Sequence, residues 1–267
     1  MFGFWKIRRE HPLWLYFFCM SAPVLIGHLF YSFHSHIQPN WIAPAVPPLF
    51  CLMVVYWSER FRNGARWIKP FFALGLALGL LVFICMHNTN LIGKITGRLL
   101  PGEKDPSRRV RAWKQVATLA EAEREKLQQQ GKPAFIICSH YGITGLFSFY
   151  LTDAKDALKS KPLVYSADSD APANQFYFWP EYDYRTSRKG QNAIYVSELD
   201  IYPLERDWLW KWLAHQPVNH AAVPPPSPAP PRIAEEFESV TDLGEREIKI
   251  GDRVFHRVHL WACHNLK

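Results

Sequence analysis

Charge is what the first third of this sequence lacks. From His11 to Ser58 there are 48 consecutive residues without Asp, Glu, Lys or Arg, and Pro70–Gly93 adds 24 more. A soluble domain has no reason to leave such stretches uncharged, whereas a bilayer core requires about 20 apolar residues per helix. Cysteine is sparse too: of five in 267 residues, Cys19, Cys51 and Cys85 fall in or beside the apolar runs, where a thiol behaves as a small apolar group. Cys138 and Cys263 are either a disulfide pair or strand-core thiols, the second reading being favoured. With 48% hydrophobic and 15% aromatic residues, the composition excludes a disordered chain. The net charge of +7 is unevenly placed: residues 1–93 carry seven Lys/Arg against two acids, and residues 94–267 carry 24 against 22. The basic surplus sits in the apolar part, where membrane topology explains it better than phosphate contacts, and nucleic acid falls away as a partner.

The 48-residue run is long enough for two crossings and breaks at His34–Asn40. The pattern predicts three transmembrane helices, Pro12–Phe33, Trp41–Trp57 and Pro70–His87, with Trp14, Trp41, Trp57 and Trp67 near their ends. Pro12 and Pro23 predict a kink in the first. Three segments, without a small-residue cleavage site after the first, argue against a signal peptide. Lys6, Arg8 and Arg9 precede the first helix, Arg60, Arg62, Arg66 and Lys69 separate the second from the third, and the 34–40 loop has no Lys or Arg. The positive-inside bias places 1–11 and 58–69 in the cytoplasm, and the 34–40 loop and everything after about residue 90 outside. Lys94, Arg98, Lys104, Arg108, Arg109 and Arg111 are then basic residues on the outer side, which long translocated domains tolerate. The chain divides into a membrane region, 1–93, and an exported domain, 94–267.

In the exported region, Asp105-Pro106 reads as an N-cap with proline at the first helical position, and apolar residues from Val110 to Leu127 recur at helical spacing over Ser107–Gln130. Gly131-Lys132-Pro133 stops that helix. Ala134–Cys138, Leu163–Ser166 and Ala193–Val196 are apolar runs of strand length, with a helix at Ile143–Leu151 between the first two. The alternation predicts a small α/β domain with some parallel pairing. Seven prolines in Gln216–Arg232 exclude a helix or central strand there, and Glu247–Ile250 with Arg253–Cys263 suggest a closing hairpin.

Ser139-His140-Tyr141-Gly142 lies at a strand-to-helix junction, where α/β sheets bind ligands. No glycine stands in position for a nucleophile elbow, and Cys138 with His140 lacks a third orienting residue, so a polar loop is favoured over catalysis. Asp168-Ser169-Asp170 has the spacing of a metal–nucleotide chelate, against the favoured reading of a solvated loop. His256, His259, Cys263 and His264 are metal-ligand types, but His256 and His259 are an odd number apart on a strand and face opposite sides, so no metal is expected and they read as ordinary hairpin residues. Asn174–Pro180 sets amides beside aromatics, which suits carbohydrate or lipid-headgroup contact, or else an aromatic core plug.

Pro39–Ala45 (PNWIAPA), at the start of a membrane helix, resembles a late segment of bacterial polyprenyl-phosphate-sugar glycosyltransferases of the dolichyl-phosphate-mannose–protein mannosyltransferase-like family. Tyr141–Leu151, Pro162–Tyr165, Asn174–Pro180 and Asn192–Val196 follow in an order and spacing similar to that family's C-terminal periplasmic domain. The likeness spans nearly the whole chain, the Pro-rich 216–231 stretch apart. It implies three transmembrane helices of a GT-C-type bundle followed by a small exported α/β domain, in a multi-pass protein of the bacterial inner membrane. It further implies sugar transfer from a polyprenyl-phosphate donor to a lipid or protein acceptor, with no cofactor. The family's general base is an acid of the first exported loop. The only exported loop before residue 88 here has no Asp or Glu, so no catalytic residue is assigned. The expectation is the C-terminal portion of such an enzyme, inactive alone, with Met1 not the true start or the chain a fragment. The alternative is a non-catalytic membrane-anchored module whose exported domain binds a glycan, lipid or protein. His34, His36, Asn40 and Trp41 lie where the family presents carrier phosphate, and Lys94 and Arg98 add positive charge there or act as interfacial anchors. Tyr141, Asn174, Gln175 and Trp179 are expected to converge at the carboxyl ends of the strands as a lid or acceptor-guiding wall, unless they fill the interior.

Overall fold

The structure is a computed structural model that describes residues 12–35, 39–64, 66–157, 161–167, 171–172, 174–201, 204–219 and 228–267. The chain forms two compact units, Met1–Val82 and Phe83–Lys267, the division between them falling inside the third apolar helix.

The first unit is built from α1 (Pro12–Tyr31), α2 (Val46–Arg62) and most of α3 (Ile68–His87). Three helical runs, Pro12–Tyr31, Asn40–Arg62 (α2 with most of the 3-10 helix before it) and Ile68–His87, are long and apolar enough to cross a membrane, and only 11%, 6% and 6% of their apolar windows is buried, so most of their side chains face outward as lipid requires. α1 runs on through Pro23, and Ser21 Oγ donates to the Phe17 carbonyl at 3.0 Å. The second span differs from its predicted bounds at both ends. Pro39–Ala45 winds as a 3-10 helix containing Pro44, and α2 starts only at Val46, with Pro47 and Pro48 in a first turn that needs no N–H from them. It then continues past Trp57 to Arg62, so the cationic end of the helix carries Arg60 and Arg62 beside the negative end of its dipole. Trp14 meets Tyr56 edge-on at 6.4 Å, holding α1 to α2.

The second unit contains α4 (Asn90–Thr96), two 3-10 turns (Gly102–Lys104 and Pro106–Arg109), α5 (Trp113–Gln128), β1 (Ala134–Cys138), α6 (Tyr141–Tyr150), α7 (Thr152–Ala157) and β2 (Val164–Ser166). Two further 3-10 turns (Gln175–Phe178 and Pro180–Tyr182) lead to α8 (Tyr184–Ser187), β3 (Asn192–Leu199), α9 (Trp208–Leu213), α10 (Pro231–Glu236), β4 (Phe237–Ile250) and β5 (Arg253–Leu266). The sheet order is β2-β1-β3-β5-β4. β1 is parallel to both β2 and β3, while β5 runs antiparallel between β3 and β4. The α/β architecture read from the sequence is therefore present, closed on one side by a hairpin.

Both faces of the sheet are covered, which is why β1 is apolar at every position. Ile136 and Cys138 pack with Trp113, Val116, Ala120, Ile143 and Phe147 on one face; Phe135 and Ile137 pack with Tyr165, Tyr184, Tyr195 and Trp261 on the other. The helix predicted over Ser107–Gln130 is interrupted. Asp105 caps a separate 3-10 turn, Ala112 turns left-handed at φ 64°, and α5 begins at Trp113. The hairpin strands are 14 residues each, well beyond the predicted Glu247–Ile250 and Arg253–Cys263, because the charged outer face of β4 masks its alternation.

Candidate functional site

Three parallel strands put their carboxyl ends on one edge of the sheet, and the chain leaves that edge each time through polar and aromatic residues. After β1, His140 caps α6, its Nδ1 accepting from the Gly142 N–H at 3.1 Å. Tyr141 follows, 51% exposed, its ring 4.2 Å from that of His140. The β1 and β2 ends are tied together: the Ala167 N–H donates to the Cys138 carbonyl at 2.8 Å, and Thr144 Oγ1 to the Tyr165 carbonyl at 3.3 Å. Asn174 Oδ1 accepts from the Phe176 N–H, starting the first aromatic turn. Phe176, Trp179 and Tyr182 pack against one another edge-on or tilted, and Tyr182 reaches Tyr165 of β2 at 6.1 Å.

The aromatic segment is thus anchored from beneath and open above. Tyr177, Phe178 and Trp179 are 46%, 62% and 40% exposed. Beneath it, Ser166, Asn174, Phe176 and Asp183 help line a cavity of about 30 Å³, room for water but not for a sugar ring. Burial and its cause hold the Tyr182 hydroxyl proton: desolvation, then the nearby Glu181 charge, raise its pKa. This edge thus presents exposed aromatic faces and no enclosing pocket among the described residues. The sequence-predicted Tyr141, Asn174, Gln175 and Trp179 all follow this edge, and neither Tyr141 nor Trp179 is enclosed in the core.

A second group meets the same edge from the chain that follows α3. β3 extends three residues past its pairing with Cys138, and its end, Leu199, lies opposite Arg257 of β5. Four residues back, at the start of β5, Arg253 donates to the Leu100 carbonyl at 3.1 Å and to Asp105 at 3.0 Å. Asp105 is buried and fully engaged: its Oδ1 accepts from the Ser107 N–H and Oγ, and its Oδ2 from Thr89 Oγ1 and Arg253. Burial pushes this carboxyl up, but the bonds from Ser107 and Thr89 and the Arg253 charge outweigh it and hold the group below the ordinary carboxylate range.

The residues predicted around the membrane boundary are differently placed. His34 is exposed in a turn, Asn40 and Trp41 are exposed in the 3-10 helix before α2, and Lys94 is exposed on α4. His36 lies outside the described residues, as do Asp168 and Asp170. Arg98 is half-buried, and its Nη1 faces three carbonyls at the end of α9, Lys211, Trp212 and Gln216, the last at 2.7 Å.

Cys138 and Cys263 are both free and buried, on opposite faces of the sheet with β3 between their strands. Burial pushes the Cys138 thiol up and that of Cys263 up to about 12, so neither is a nucleophile at neutral pH. His256 and His259 do face opposite sides: one packs 4.1 Å from Trp113, the other stacks on Trp261 at 3.8 Å. Their reading as ordinary hairpin residues needs correction, since both are fully buried with carboxylate partners, His256 with Glu198 and His259 with Asp242. Among the described residues no three His, Cys, Asp or Glu side chains gather as a metal site. Sequence reasoning missed α9, whose Trp208, Trp210 and Trp212 were its available signal. No protein-family model matches this chain, and no curated protein or solved structure matches it.

Proposed function

We propose that this chain is the C-terminal portion of an integral membrane glycosyltransferase of GT-C type, in which a polyprenyl-phosphate-linked sugar is passed to a lipid or protein acceptor. In this reading the second unit is extracytoplasmic and contributes no chemistry of its own. Its aromatic edge guides the donor or acceptor, Tyr141 and Tyr177–Trp179 offering faces on which sugar C–H surfaces or isoprenoid chains stack. The observation that supports this most is spatial. The segment after α4, Leu100–Asp105, is bonded to Arg253 at the start of β5, on the side of the sheet toward which the carboxyl ends of the three parallel strands point. In this reading His34, His36, Asn40 and Trp41 supply cationic and amphipathic side chains of the kind that attract a headgroup phosphate, and Lys94 of the second unit is a further cation of that kind.

A specific observation favours a second reading, a non-catalytic anchored module: residues 34–40 contain no carboxylate to serve as general base. The reading frame upstream of Met1 separates the two. In-phase coding for further membrane helices and an acidic exported loop is expected. Membranes holding that longer protein should transfer labelled sugar from a polyprenyl-phosphate donor, less efficiently with His36→Ala or Lys94→Ala. A promoter and ribosome-binding site directly before Met1, with no transfer activity, would leave only the module.

A further inference from the structure

Within the second unit, α9 is a six-residue helix with two unlike sides. Trp208 and Trp212, four apart, turn inward: Trp212 is buried and its Nε1 donates to the Leu99 carbonyl at 2.9 Å, while the Lys104 ammonium lies 5.3 Å from the Trp208 ring. Leu209, Trp210 and Leu213, at helical spacing on the other side, are 44%, 73% and 51% exposed. Ile95 and Leu99, on the segment that holds this helix, are 75% and 46% exposed. Exposed apolar side chains in such a cluster mark a surface with a partner.

The chain itself says what covers it. α4 begins three residues after α3 ends, and the stretch leaving α4 grips the end of α9. Arg98 bonds the Lys211, Trp212 and Gln216 carbonyls, and Leu99 accepts from Trp212. The inward side and carboxyl end of α9 are therefore fixed to the residues that follow a candidate membrane-spanning helix, leaving Leu209, Trp210 and Leu213 facing out. Tryptophan at the acyl–headgroup boundary, flanked by lysines such as the exposed Lys94 and Lys104, is the chemistry of an interfacial helix. We propose that α9 is a monotopic membrane-interface element: Leu209, Trp210 and Leu213 insert into the leaflet into which α3 emerges, clamping the second unit to the bilayer surface. The proposal depends on α3 spanning a bilayer and is independent of any transferase activity.

The test uses the full chain, with Cys19, Cys51 and Cys85 replaced by alanine, reconstituted in phosphatidylcholine–phosphatidylglycerol vesicles. A nitroxide is attached at Trp210→Cys, at Leu213→Cys, or at Lys189→Cys near the opposite, amino-terminal edge of β3. Labels at 210 and 213 should collide several-fold more with oxygen than with a water-soluble nickel chelate, placing them about 5–10 Å below the headgroup boundary. The label at 189 should show the reverse. Nickel accessibility at 210 and 213 equal to that at 189 would overturn the proposal. So would protection from both reagents, which would identify a protein surface, a second copy or another chain, as the occupant instead of lipid.

Discussion

Replacing Asp105 removes the acceptor on which four donors converge, and the loss can be sized from its surroundings. Asp105→Ala deletes a helix cap, a loss of about 1 kcal/mol, and leaves the mostly buried Arg253 without its carboxylate. Breaking a buried ion pair by removing one partner costs about 3–5 kcal/mol, most of it the unpaired charge. Together these are about 4–6 kcal/mol, and a domain of this size shifts by roughly 2–4 °C per kcal/mol, so the Tm of the detergent-solubilised chain should fall by about 8–24 °C. Asp156→Asn, at an exposed site, should leave it within about 0.5 kcal/mol of the parent. Because the damage lies in the stranded guanidinium, adding Arg253→Met to Asp105→Ala should restore part of the loss. The pH dependence has a fixed sign. A carboxyl whose folded-state pKa is lowered contributes stability that is fully present above its unfolded value, near 3.9, and is lost as pH falls through the folded one. The parent's Tm should therefore drop more steeply than that of Asp105→Asn once the pH falls below about 4. Losses that simply add in the double variant, or a Tm change below about 2 °C for Asp105→Ala, would refute this account.

Gly102→Ala should be as damaging by a different route: a Cβ there would lie 1.9 Å from the Val254 carbonyl oxygen, and the backbone shift it forces should lower Tm by several degrees. Tyr141→Ala should leave thermal stability within about 0.5 kcal/mol, whereas Tyr165→Ala, at the buried centre of the aromatic anchor, should cost about 3–5 kcal/mol. Cys138 and Cys263 should resist maleimide in the folded chain and react with it in denaturant, with no disulfide on non-reducing gels. Reporter fusions after residue 100 should be active only on the extracytoplasmic side and fusions near residue 63 only in the cytoplasm, and a cytoplasmic reporter at residue 150 would contradict the proposed compartment.

The membrane helices were legible because lack of charge is a one-dimensional signal, although their ends were not. Prolines 44, 47 and 48 moved the start of α2 into a 3-10 turn, and apolar content alone could not anticipate that its last turn would hold Glu59, Arg60 and Arg62. β1, β2 and β3 were readable since a strand covered on both faces is apolar throughout. β4 was hidden over most of its length: as an edge strand carrying Glu238, Asp242, Glu245, Arg246 and Glu247, it resembles a solvated loop. The Asp105–Pro106 cap was visible, but its ion pair joins residues 148 apart, and no local pattern encodes such a partner. His256 and His259 were undervalued for the same reason, their partners Trp113, Glu198 and Asp242 coming from other elements of the fold.

The two borders of the sheet bear on how such a chain lives in crowded surroundings. A tether to lipid confines neighbouring copies to a plane and raises the frequency of their encounters, the circumstance in which unsatisfied strand backbones zip together. Here one border, β2, is three residues long, too short to template a partner. The other, β4, is long but lined with side chains of both signs and dislocated by register shifts after Asp242 and Ile248. An incoming strand would find its hydrogen-bond ladder broken and its charges mismatched. The closing hairpin thus gives the sheet a hemmed border, ill-suited to being stitched to the strands of another copy.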